Sequence, residues 1–249
     1  MEITHLVVNG CSWTYCQGLD DPKTQGWPFF LAKKLGVPVV NLAVPGSGND
    51  TIHRRTYEYM FEDYPESKPL YVIAWTQTWR REAWCRKFYT DNLPNGYCTI
   101  SLPSKSPDNY NEYALLDNWS EEDFYRRLML YRASLESLFR FKDAPHITSF
   151  FADPRHEQNL NSQIKFAGMS NFLLSETNHI DSFYEITERY PKLPCGHDGY
   201  ESMPVLADFI YDKIIEIYGE IKPINGNYLT LKTFNTIDTT GSIINSLWL

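Results

Sequence analysis

Several things are scarce in this sequence, and each scarcity narrows what the chain can be. The five cysteines (Cys11, Cys16, Cys85, Cys98 and Cys195) are odd in number and form no CxxC pair. A disulfide framework and a zinc site are therefore not expected, and a reduced compartment is the simpler setting. No apolar run is long enough to cross a bilayer. Met1-Glu2-Ile3-Thr4-His5 lacks the basic start of a secretory signal, so a cytoplasmic location is expected, with no membrane partner. The formal net charge is −8 and no basic cluster interrupts it. Nucleic acid is not an expected partner, because gripping a phosphate backbone needs a Lys/Arg surface.

What is present is enough chain, 249 residues, for one substantial core or one domain with an appendage. Leu6-Val7-Val8 fits a buried parallel strand and runs into the turn signal Asn9-Gly10, then Ser12. In an open α/β sheet, ligands bind where strands end at their carboxyl edge, so Ser12 stands where a nucleophile would be placed. As a plain loop serine or a helix cap it would need no chemistry.

Further along, Trp27, Phe30, Leu31 and Leu35 recur at helical spacing before Gly36. Val37 to Leu42 reads as a second strand, a helix follows from about Thr51 to Tyr64, and Leu70 to Trp75 is a third strand. Short links between them give consecutive βαβ units and a parallel sheet. An irregular, aromatic-rich insertion occupies about 78 to 119; Trp75, Trp79, Trp84, Tyr89, Tyr97, Tyr110, Tyr113 and Trp119 crowd it and its border. They form either a glycan-facing platform or a satellite core. A helix then runs to about Phe141 with Leu128, Tyr131, Leu135 and Leu138 on one face. His146 to Ala152 is a fourth strand, 155 to 190 is mixed, with short helices over one sheet edge, and Tyr200 to Tyr218 is the last helix. Residues 221 to 249 change character, with few charges and many Thr, Asn and Ile. They form an extension that packs on its own domain or serves a protein partner or self-association.

Four short blocks stand at strand ends or helix starts: Asn9-Gly10-Cys11-Ser12, Asn41-Leu42-Ala43-Val44-Pro45-Gly46, Trp75-Thr76-Gln77-Thr78 and Cys195-Gly196-His197. In this order they resemble the SGNH (GDSL-type) hydrolases, in particular their divergent bacteriophage versions. The resemblance implies a three-layer α/β/α fold with a mostly parallel, flavodoxin-like sheet. It implies a serine esterase or acyl-hydrolase without a cofactor or metal, acting on a small ester or an acylated glycan, with O-deacetylation of a glycan among the reactions it implies. Ser12 matches the nucleophile and His197 the general base. The N–H groups of Ser12 and Gly46, with Gln77 at the family's Asn position, match the oxyanion hole. A side chain at Gly46 would obstruct that amide, although a plain turn glycine reads the same way.

Besides Gln77 in place of the family's Asn, two further departures stand out. Cys11 replaces the family's Asp, and Pro194 occupies the place of the acid three residues before the histidine. Asp153, Asp198 and Glu201 are unranked candidates to orient His197 in a triad; without one, Ser12 and His197 form a dyad. Asn49 and Asp50 read as helix caps, with a hydrogen-bonding role for Asn49 beside Ser12 as the alternative. Cys11 and Cys195 read as small apolar packing groups. Among the other histidines, His53 reads as a surface residue and His5 as a strand start, while His146, His156 and His179 lie far from any block. The rival reading keeps the fold as a structural or binding module of a phage particle with weakened chemistry.

Overall fold

The structure, a computed structural model, describes residues 1–61, 67–76, 80–84, 97–101, 121–150, 179–224, 235–237, 243–245 and 247–248. The first half contains β1 (Glu2–Ile3), β2 (His5–Asn9), α1 (Ser12–Tyr15), α2 (Pro22–Gln25), α3 (Trp27–Leu35), β3 (Val39–Asn41), α4 (Asn49–Phe61), β4 (Pro69–Trp75), β5 (Arg80–Trp84) and β6 (Tyr97–Ser101). Then come α5 (Glu121–Phe141), β7 (His146–Phe150), β8 (His179–Ser182), α6 (Tyr184–Thr187) and α7 (Ser202–Tyr218). The chain closes with β9 (Lys222–Pro223), β10 (Asn235–Ile237), β11 (Ile243–Asn245) and β12 (Leu247–Trp248).

The apolar runs become strands buried on both faces, and their alternation builds two cores. Leu6, Val8, Val39, Leu70, Val72, Ala74 and Ile147 face Trp27, Leu31 and Leu35 of α3 and Leu206, Ile210 and Ile214 of α7. Val7, Val40, Tyr71, Ile73, Trp75 and Phe150 face Ile52, Tyr59 and Met60 of α4 and Leu128, Leu135 and Phe139 of α5. The result is three layers, α/β/α. Each Leu or Ile withdrawn from water on these faces contributes about 1.5–3 kcal/mol, which is why the strand sequences are almost unbroken apolar runs. Helix α3 ends at Gly36, whose φ of +70° is the left-handed cap conformation open to glycine.

The parallel strands lie in the order β3-β2-β4-β7-β8, the flavodoxin-like order that the resemblance implies. From β2 the chain adds β3 on one side and β4 on the other. The crevice at the carboxyl ends of β2 and β4 is therefore the switch point where such sheets bind ligands.

Some expectations are revised. Residues 179–182 are not part of a mixed edge region but a fifth parallel strand, β8, paired with β7. With Ile180 its one clearly apolar residue, it carries no strand signal. Trp75 does not belong with the insertion aromatics: it is fully buried in the sheet core. Trp79, Tyr89, Tyr110, Tyr113 and Trp119 lie outside the described residues. Within the insertion, β5 and β6 form an antiparallel ribbon. In the C-terminal extension, β9 pairs with β1 and β12 lies antiparallel on the outer edge of β3.

Candidate active site

Ser12 is the first residue of α1, three residues beyond β2, and is only 5% exposed. The chain turns there because Gly10 lets α1 sit directly on the strand ends. A Cβ on Gly10 would lie 2.1 Å from Thr14 Oγ1 and 3.1 Å from the Ala74 carbonyl oxygen. Asn9 fixes the strand end from below: its Oδ1 accepts from the Gly10 amide at 2.8 Å, and its Nδ2 donates to the Ile52 carbonyl and Thr56 Oγ1, each at 2.9 Å. Cys11 is fully buried, as expected of a small apolar group. The Ser12 hydroxyl has no hydrogen-bond partner among the described residues.

The loop after β3 carries Gly46. Asn41 ties it to α1, donating from Nδ2 to the Thr14 carbonyl at 3.1 Å and accepting from the Ala43 amide at 2.9 Å. Gly46 has φ +79° and a Cβ built there meets nothing within 4 Å. Among the described residues it is the backbone conformation, not neighbouring protein atoms, that calls for glycine here.

The Asn49 side chain does not cap α4, and its hydrogen bonds run to Thr76. Its Oδ1 accepts from the Thr76 amide at 2.8 Å and its Nδ2 donates to the Thr76 carbonyl at 2.9 Å. That two-point clamp fixes the residue before Gln77; Gln77 itself lies outside the described residues. Asp50 does act in the first turn, accepting from the Thr51 amide at 3.0 Å, and it also accepts from the Glu82 amide at 2.5 Å. Burial pushes its carboxyl up to about 6. The start of β5 is thus held against the Gly46 loop, with the Arg80 carbonyl oxygen 2.8 Å from where a Gly48 Cβ would be.

His197 comes from the tight loop before α7, where the Leu193 amide donates to the His197 carbonyl at 2.8 Å. Its ring lies against the Trp13 ring, centroids 5.1 Å apart. The imidazole therefore stands beside the residue that follows Ser12. Its Nδ1 is buried with no hydrogen-bond partner among the described residues, which leaves Nε2 as the accessible nitrogen. Burial lowers the His197 pKa below its ordinary 6.5; the Asp198 charge and the nearby Cys195 carbonyl oppose this and the Arg80 charge adds to it.

Of the three candidate acids, Asp153 lies outside the described residues and Glu201 is exposed at the start of α7. Asp198 is 2% exposed and pairs with Lys192, whose Nζ sits 5.2 Å from the Trp13 ring centroid. Burial raises the Asp198 carboxyl while Lys192 holds it down. None of the described carboxylates hydrogen-bonds the His197 ring. Asp198 acts on it through charge alone.

The remaining site-linked readings resolve as follows. Cys195 is exposed, not packed as an apolar group. His5 is a buried structural histidine between Thr4 Oγ1 and Tyr59 Oη, each at 2.8 Å, and His146 is bonded to Glu136 Oε2 at 2.8 Å. His53 is half-buried against Tyr131. His156 lies outside the described residues. Trp13 and Lys192 were not legible as site residues; for Trp13 the one signal was its place next to Ser12. Among the described residues, no three His, Cys, Asp or Glu converge as metal ligands, and no helix is long and apolar enough to cross a membrane.

Neither a family model nor a curated protein matches the sequence. Solved structures do. The structure of TesA superposes with a TM-score of 0.54 at 17% identity, covering 86% of this chain and 99% of that one. A protein assigned to the G-D-S-L family from Desulfitobacterium hafniense DCB-2 gives 0.50 at 11% identity, covering 84% and 99%. The acetyl xylan esterase Est2A from Butyrivibrio proteoclasticus gives 0.52 at 12% identity, covering 88% of this chain and 65% of its own. The chain has the SGNH-hydrolase fold. The carboxyl edge of an SGNH sheet here carries Ser12, the Gly46 loop and the clamped Thr76, and the loop before α7 brings His197 alongside.

Proposed function

We propose that the chain is a serine acyl-hydrolase acting on ester bonds, with an O-acetylated glycan as substrate. The observation that carries the reading is the contact of the His197 ring with Trp13, the residue next to Ser12 at the switch point of the sheet, with burial holding the imidazole below its ordinary pKa. A serine hydroxyl needs such a base to become a useful nucleophile. Ser12 Oγ attacks the ester carbonyl carbon and His197 Nε2 takes its proton. The amides of Ser12 and Gly46, with the Gln77 side chain, hold the oxyanion. Collapse breaks the acyl–oxygen bond and His197 returns the proton to the departing alcohol. Water, activated by the same imidazole, then releases the acid. The glycan part of the proposal draws on neighbours described as an acetyl xylan esterase and carbohydrate esterases.

Hydrolysis of a chromogenic acetyl ester tests the reading. Wild type should turn over and Ser12→Ala should fall to the buffer rate; equal rates for the two would overturn it.

A second reading has one observation in its favour: His197 Nδ1 has no orienting partner among the described residues. On that reading the fold serves as a binding or structural module, for instance in a phage particle. One structural neighbour (TM-score 0.52) is described as a carbohydrate esterase with divergent catalytic and non-catalytic binding functions. Retained binding to an acetylated glycan without turnover would favour it.

A further inference from the structure

His197 stands on a hairpin that is closed by its own backbone. Within residues 191–199, Lys192 and Asp198 form an antiparallel bridge. The Leu193 amide donates to the His197 carbonyl at 2.8 Å, the Gly196 amide to the Leu193 carbonyl at 2.8 Å and the Gly199 amide to the Pro191 carbonyl at 3.2 Å. These bonds shape the hairpin but do not fix where it sits relative to α1, which carries Ser12. Leu193 packs on the core, and Cys195 Sγ lies 2.7 Å from where a Gly18 Cβ would be. Such apolar contacts are non-directional and set no exact orientation.

The Lys192 ammonium supplies directional ties. It bonds the Asp198 carboxylate within the hairpin. It also reaches the end of α6, 3.4 Å from the Thr187 carbonyl and 3.5 Å from Thr187 Oγ1. Its third neighbour is the Trp13 ring of α1, with the centroid 5.2 Å away, inside the range of a cation–π contact. The same ring lies 5.1 Å from the His197 ring. One ammonium thus joins the hairpin to α6 and to the residue next to Ser12.

Asp198 alone would explain a lysine here. Its side chain is 1% exposed, and a buried carboxylate left without its cation is strongly destabilising. That need could be met inside the hairpin, with no contact to α1. The Trp13 contact is what a purely local ion pair leaves unexplained.

We propose that Lys192 is a positioning residue of the hydrolase site. By tying Asp198, Thr187 and the Trp13 ring to one ammonium, it sets how the His197 imidazole stands relative to Ser12. The inference rests on the hydrolase reading and adds to it a residue that touches neither substrate nor the reacting atoms.

The test compares full-length Lys192→Met, Lys192→Arg and the double variant Lys192→Met/Asp198→Asn with wild type. Turnover of a chromogenic acetyl ester is measured at about pH 8, where the imidazole is neutral. Thermal melts and NOEs between the Trp13 indole and the His197 ring are recorded alongside. Lys192→Met should melt lower, lose the NOEs and lose about tenfold or more in kcat with little change in KM, because misplacing a base slows the chemical step more than binding. Lys192→Arg should recover most of the loss, since a guanidinium bonds a carboxylate and stacks on an indole. The double variant leaves no buried charge unpaired. It should regain the melting temperature but neither kcat nor the NOEs, and it also answers for a Lys192→Met chain that fails to fold.

Wild-type kcat and NOEs in Lys192→Met would overturn the proposal. So would their return together with the melting temperature in the double variant, which would make Lys192 a counter-ion and nothing more. A wild type that does not turn over sinks the hydrolase reading instead; the NOEs, which need no turnover, then decide whether Lys192 positions the imidazole.

Discussion

The Trp13 ring lies against the His197 ring, centroids 5.1 Å apart with planes inclined by 46°. Burial is the largest influence holding the His197 pKa below 6.5, with Asp198 and Arg80 pulling in opposite directions. A general base works only when neutral, so kcat/KM should rise with pH through a midpoint below 6.5. Trp13→Ala, which wets the ring, should move that midpoint up. Arg80→Gln removes a repelling positive charge and should also move it up, whereas Asp198→Asn should move it down. A pH–rate profile of the three variants checks all three signs, and a common direction would contradict the assignment.

Gly10 and Gly46 are glycines for different reasons, and substitution should separate them. Gly10→Ala forces a Cβ to 2.7 Å from Thr14 Cβ, an overpacking that should cost about 1–3 kcal/mol. Gly46→Ala meets no atom and pays only for its φ of +79°, about 1–2 kcal/mol. Urea denaturation should rank Gly10→Ala as the more damaging of the two. Residual esterase activity per folded molecule should nonetheless suffer in Gly46→Ala, because the proposed mechanism assigns its amide to the oxyanion.

How much of this was legible beforehand follows from where each signal resides. Strands β2, β4 and β7 announce themselves because burial on both faces demands unbroken apolar residues, and α7 because Leu206, Ile210 and Ile214 repeat at helical spacing. Ser12 and His197 stand out as candidates from residue type and place in the strand–loop order. β8 and β12 do not, since their strand character comes from the neighbour they pair with. Nor does the role of Asn49. Its clamp on Thr76 joins residues 27 apart in the chain, and only the fold reveals that its amide faces a backbone and not its own helix.

Removing that clamp should be costly. Asn49→Ala leaves the Thr76 amide and carbonyl buried without partners, each worth about 1–3 kcal/mol. Chemical denaturation should show the loss. Asn49→Asp keeps an acceptor for the Thr76 amide and should recover part of the stability. Equal stability of Asn49→Ala and wild type would contradict the clamp.

His5 should give acid sensitivity. Burial between Thr4 and Tyr59 lowers its pKa to about 4 from 6.5. Below pH 6.5 the unfolded chain takes up a proton that the folded chain refuses, so stability falls as pH drops from 6.5 to about 4, by at most about 3 kcal/mol. His5→Gln lacks the titration. The stability difference between wild type and His5→Gln should therefore shift against wild type as the pH falls through that window, as thermal melts would record.

The most direct test of the central claim is covalent trapping. A fluorophosphonate reacts with a serine only when a neighbouring base activates it within an oxyanion-binding site. Intact-mass and peptide mapping of the treated wild type should show one adduct, on Ser12, and His197→Gln should show none under the same conditions. An untouched Ser12, or labelling that persists without His197, would contradict the pairing of these two residues.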